Sequence, residues 1–154
     1  MSDEYPTLLL DAYKGEVLGE ALFCAFAARE SGDRAVKLRV LERIERTTAT
    51  QLRPLVDAAG IDVAEDEETA RAQGHELGSA AIEWDAFVRA LHDALPSYLA
   101  NFVRLRTMAT DANDPALVAL VAHEQAINAF AELELAGNSD CSLAVLQWHL
   151  DTVA

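Results

Sequence analysis

The chain has 154 residues, enough for a single domain (1–154) with a real core, and its 51% apolar against 25% charged content argues against disorder. With 26 acidic and 12 basic residues it carries a net charge of −14, which argues against nucleic-acid binding and against an acidic membrane surface, since both need basic groups. The start MSDEYPTLLLDAYKG is acidic and has only a brief apolar run. No window reaches the ~20 apolar residues of a membrane span, and Cys24 and Cys141 form no CxxC pair, so the reading is a reduced, cytoplasmic protein with no membrane association.

Punctuation divides the chain into helices. The first runs from about Thr7 to Glu30 and stops at Ser31-Gly32-Asp33, where Asp33 is placed to cap the second. The second reaches Ala59 before Gly60, with Pro54 loosening its last turns. After the acidic connector IDVAEDEE comes a short helical stretch at about Thr69–Leu77, then a long helix over Ala80–Ala109 that Pro96 kinks or splits. Asp114-Pro115 is the sharpest start signal, an N-cap followed by proline at the first helical position; that helix ends at Gly137. A short amphipathic helix over Ser142–Val153 closes the chain. The glycines read as punctuation, and no segment has strand periodicity. The expectation is an all-α, four-helix bundle of two hairpins plus a short C-terminal helix.

Carboxylates interrupt three of the apolar seams. In the second helix the seam is Leu38, Leu41, Glu45, Thr48, Leu52, Leu55; in the first it is Leu9, Tyr13, Glu16, Glu20, Phe23, Ala27; in the fourth it is Leu117, Leu120, Glu124, Ile127, Ala131. The third long helix, with Trp84, Phe87, Leu91, Leu95, Tyr98 and Phe102, carries no acid on its seam. At 1.5 Å rise per residue, Glu20 and Glu45 stand equally far from their shared turn, and Glu124 falls near mid-helix, so the acids converge at one level. Acids gathered in a dry core need protons, basic partners or a cation. His123 lies at the edge of its stripe and can assist. Tyr98 can donate to Glu20 or Glu124, and His75, His92 and His149 read as surface or capping residues. A shift of 79 residues aligns Phe23 with Phe102, Leu38 with Leu117, Leu41 with Leu120 and Glu45 with Glu124, as an internal duplication would. No nucleophile motif or glycine-rich phosphate loop is present.

This layout resembles the ferritin-like superfamily, which includes rubrerythrins and related di-iron carboxylate proteins. The family pattern is a Glu on helix one, Glu-x-x-His on helix two, a Glu on helix three and Glu-x-x-His on helix four, in two hairpins joined by a long crossover. GEALFCAFA supplies Glu20 for the first position, ERTT supplies Glu45 with Thr48 where His belongs, and HEQAI supplies Glu124 with Ile127 in the second His place. The helix-three Glu has no counterpart; Tyr98, Leu99 and Asn101 stand near that level. The resemblance implies metal ligands Glu20, Glu45 and Glu124, with Glu16, Thr48 and His123 assisting, and iron or manganese as the ion. The missing ligands imply a reduced or vestigial site. Two expectations follow: a non-catalytic module acting through association, with the alanine face Ala119, Ala122, Ala126 and Ala129 suggesting a homodimer, or a metal-dependent oxidoreductase using O₂ or peroxide.

Overall fold

The computed structural model describes residues 3–153. It is all-α, with six helices in chain order: α1 (Glu4–Arg29), α2 (Gly32–Ala58), α3 (Ala64–Ser79), α4 (Trp84–Met108), α5 (Pro115–Leu135) and α6 (Ser139–Val153). No strand forms among the described residues. The cap expected of Asp33 is not made: Ser31 holds the N-cap position, and Asp33 instead pairs with Lys37 at 2.9 Å one turn on. Asp114 does cap α5, accepting from the backbone N–H of Ala116 at 2.9 Å with Pro115 at the first helical position. Gly60 and Gly137, at φ +73° and +79°, close α2 and α5 with the paired backbone bonds of a Schellman turn. Pro96 lies inside α4 without dividing it.

The four long helices pair as α1 with α2 and α4 with α5, while α2 also meets α5 and α1 touches α4. α6 lies against α5 and α2. The connection between the hairpins carries α3, longer than its sequence signals and packed tightly on α1. Two glycines explain that closeness. A Cβ on Gly74 would stand 2.2 Å from the carbonyl oxygen of Leu18, and one on Gly78 would stand 2.2 Å from that of Leu22. These are contact residues, not the punctuation their scatter suggests.

The core has two apolar halves. One gathers Phe23, Phe26, Leu41, Trp84, Phe87 and Phe130, with Phe26 and Phe87 edge to face at 4.8 Å. The other gathers Leu9, Val17, Leu52, Phe102, Leu105 and Leu120. On α1, α2 and α5 the chain passes from one half to the other through buried polar residues: Glu16, then Glu45 and Thr48, then His123 and Glu124. A polar layer thus crosses the middle of an otherwise apolar interior.

A second buried polar group ties the ends of the helices. Lys37, 1% exposed, donates to Glu134 at 2.6 Å and to the Ser139 carbonyl at 2.8 Å. Glu134 also accepts from Ser142 Oγ at 2.7 Å and from the Trp84 indole N–H at 3.1 Å. Burial alone would raise the Glu134 carboxyl, but the donors around it outweigh that and hold it below its ordinary value.

Candidate metal centre

The polar layer converges on one imidazole. His123 is 0% exposed, and its Nε2 lies 3.0 Å from Glu16 Oε2, 3.2 Å from Glu124 Oε2 and 3.7 Å from Glu45 Oε2. Its other nitrogen, Nδ1, faces the backbone carbonyl of Leu120 one turn back. A carbonyl oxygen only accepts, so Nδ1 carries a hydrogen and donates it, while Nε2 faces the three acids. This is how a metal-ligating histidine is usually held.

Glycine opens the layer to Glu45. A Cβ on Gly19 would stand 2.9 Å from Glu45 Cδ and 3.0 Å from its Oε1, so the absence of a side chain there is what admits the carboxylate. Thr48 is buried at the same level but donates its only hydroxyl hydrogen to the Ile44 carbonyl at 2.8 Å, which leaves it no donor for the acids of the cluster.

Burial shifts every acid in the layer towards its neutral form. It pushes the Glu16 carboxyl up to about 8, with the Glu45 hydrogen bond opposing and the Glu124 charge adding. Burial raises Glu124 to about 7, with His123 opposing and Glu45 adding. Glu45 is raised well above its ordinary value by burial first and by the Glu16 charge second. Burial and mutual repulsion thus favour a proton held within the Glu16–Glu45 pair. Even so, Glu16 Oε2 and His123 Nε2, both enclosed, have no hydrogen-bond partner beyond each other. Leaving such atoms unpaired is costly.

The cluster fits a cation. One ligand atom each from Glu16, His123 and Glu124 lies within 4.8 Å of the others, and this buried group could hold a metal ion. Donor atoms bound to one first-row ion at about 2.1 Å stand roughly 3.0–3.5 Å apart, close to the spacings found around Nε2. One nitrogen among carboxylate oxygens suits manganese(II) or iron(II) better than the softer ions.

The other residues singled out from the sequence go elsewhere. Glu20 does not join the cluster: Arg46 takes it at 2.8 Å, with Arg71 at 3.9 Å, towards the surface. Tyr98 is 51% exposed and donates to neither Glu20 nor Glu124. His149, expected at the surface, is buried behind the site with its ring 6.5 Å from that of His123, and burial lowers it to about 4. Trp148 is exposed. Cys24 and Cys141 are both free and exposed. α4 gives the layer no polar ligand; Phe102 faces the His123 ring at 5.8 Å. Ala119 is buried within the chain and Ala122, Ala126 and Ala129 are half-buried, so the alanine face is largely covered by the fold itself.

An apolar cavity of about 310 Å³ leads down to the layer from between α1 and α4, and Glu16, Glu45 and Glu124 form its floor. No described helix is long and apolar enough to cross a membrane. Compared with protein-family models, curated proteins and solved structures, the chain shows no match.

Proposed function

We propose that this protein binds one divalent transition metal, manganese(II) or iron(II), through Glu16, His123 and Glu124, with Glu45 as an adjoining carboxylate. The observation that carries the reading is the pair of enclosed atoms, Glu16 Oε2 and His123 Nε2, 3.0 Å apart among acidic side chains and with no partner beyond each other. The ferritin-like kinship belongs to the same reading, with the family's two-ion ligand set reduced to a single-ion set.

An ion of this kind, when bound, supplies one-electron chemistry towards O₂ or peroxide, which makes a metal-dependent oxidoreductase the activity the site suits best. The chain's own residues have definable parts in it. The Leu120 carbonyl fixes the His123 tautomer. Glu45 holds a proton beside Glu16 and is the group placed to release or recover it. Phe102 packs against the His123 ring, and the apolar cavity walls surround the approach to the layer.

A second reading draws on the Glu45–Glu16 hydrogen bond: a proton-bridged cluster with no ion, in a module that acts through association. Elemental analysis after anaerobic loading with Mn(II) or Fe(II) and desalting separates the two. Close to one ion per chain is expected, with affinity at least about tenfold lower in His123→Ala and in the shape-preserving Glu16→Gln. No retained ion, or retention unchanged in both variants, would overturn the metal reading and favour the second.

A further inference from the structure

We infer that the cavity between α1 and α4 is a binding chamber for an uncharged, mainly hydrocarbon molecule whose one polar end, a hydroxyl or similar donor, meets the acidic side chains of its floor. The inference adds a ligand class to the metal reading, yet the walls that carry it are independent of any ion.

The chamber exists because small residues face one another. α1 contributes Gly15 and Gly19, and α4 contributes Ala90 and Ala94, all on the lining. A Cβ built on Gly15 meets nothing within 4 Å, so that position borders open space instead of a packed neighbour. Above the floor the walls are Leu18, Leu22, Phe87 and Leu91, and no Lys, Arg or His lines the space. The charge pattern selects the ligand. An anion would meet three acidic side chains and no cation to balance it. An ammonium would have to lose its hydration among apolar walls. A neutral chain loses nothing on entry, and a hydroxyl at its tip can hydrogen-bond the acidic side chains that line the inner end.

Size follows from the volume. At about 310 Å³ the chamber is at the small end of ligand sites and, with imperfect filling, takes on the order of ten carbon atoms. Each methylene carried into such walls strengthens binding about fourfold. The series should therefore tighten with length and then stop.

The test uses the straight-chain primary alcohols from butanol to dodecanol, titrated calorimetrically into chelator-treated protein, with octanoate and octylammonium as charged controls. The expected result is a rise of about threefold to fourfold per carbon that levels off near ten, with both charged controls at least tenfold weaker than octanol. Gly15→Leu and Ala94→Phe, checked for retained helicity, narrow the chamber from opposite walls and should each weaken octanol at least tenfold. Octanoate binding as well as octanol, no dependence on length, or full affinity in both folded variants would overturn the inference. So would exclusion of octanol by a second copy covering the opening, seen as a stable dimer in sedimentation. Because the titration is done without metal, its failure leaves the metal stoichiometry intact, and a failed metal loading leaves the alcohol series intact.

Discussion

At the residue scale, the decisive distinction is between Glu16 and Glu20, one turn apart on the same helix. Periodicity placed both on the apolar stripe of α1, and the two could not be separated by spacing alone. The structure separates them by their neighbours: Glu20 at the margin finds Arg46 at 2.8 Å, while Glu16, 2% exposed, finds only His123 and other acids. Glu45 and Glu124 were legible because a carboxylate at a heptad seam position has nowhere else to point. His123 was harder, since a residue adjacent to a seam acid normally turns aside; its full burial depends on α5 being enclosed by α2, α4 and α6 together.

The same residues set a pH dependence with a definite sign. Glu16 and Glu124 bind protons more tightly folded than unfolded, at about 8 and about 7 against an ordinary value of 4.5. Their contribution to metal-free stability is therefore complete below about pH 4.5 and is lost as pH rises through 7 and 8. Urea unfolding at pH 5 and pH 8 in chelator should show this loss in the wild type and a smaller one in Glu16→Gln, which should also be the more stable protein at pH 8. Metal binding runs the other way, because the ion displaces those protons, so Mn(II) affinity should climb from pH 6 to pH 8. An affinity flat across that range would separate the ion from these carboxylates.

At the element scale, glycine is the residue whose meaning the sequence concealed. Isolated glycines in a helical chain look like breaks, and three of them are packing devices. Gly74 and Gly78 let α3 lie directly on the α1 backbone, and Gly19 lets Glu45 reach the polar layer. Gly74→Ala should gain helix propensity yet lose about 1–3 kcal/mol overall, because its Cβ meets rigid backbone and α3 must move away. Chemical denaturation measures the balance; a stabilised variant would mean that α3 is not held so closely. Gly19→Ala should instead fold well and bind metal several-fold more weakly, since only the Glu45 side chain has to give way. Titration of Mn(II) by calorimetry reads the difference.

Element types and order followed from caps and periodicity, as Asp114-Pro115 at the start of α5 illustrates. The length of α3 and the role of Ser31 did not, because both depend on what packs alongside. α3 begins at an acidic turn where Glu67 accepts from Tyr13 and, at 2.8 Å, from Arg53, partners that lie far away in sequence.

At the scale of the whole molecule, a polar layer between two apolar halves couples the site to the stability of the fold. Glu16 is on α1, Glu45 on α2, and His123 and Glu124 on α5, so an ion held there joins both hairpins. With Mn(II) at a hundred times its dissociation constant, linkage adds about 2.7 kcal/mol, which for a chain of this size raises the melting temperature by about 5–10 °C. The second tie, Lys37 with Glu134, should respond differently. Lys37→Ala leaves the Glu134 carboxylate buried beside Ser142 and Trp84 without its cation, and should cost about 3–5 kcal/mol whether or not metal is present.

Diffraction from Mn(II)-soaked crystals, with data collected to locate the anomalous scattering of manganese, tests the central claim most directly. The account predicts one peak per chain within bonding distance of His123 Nε2, Glu16 and Glu124, and none there in crystals of His123→Ala. An empty polar layer in the wild type, with manganese only on surface carboxylates, would contradict it.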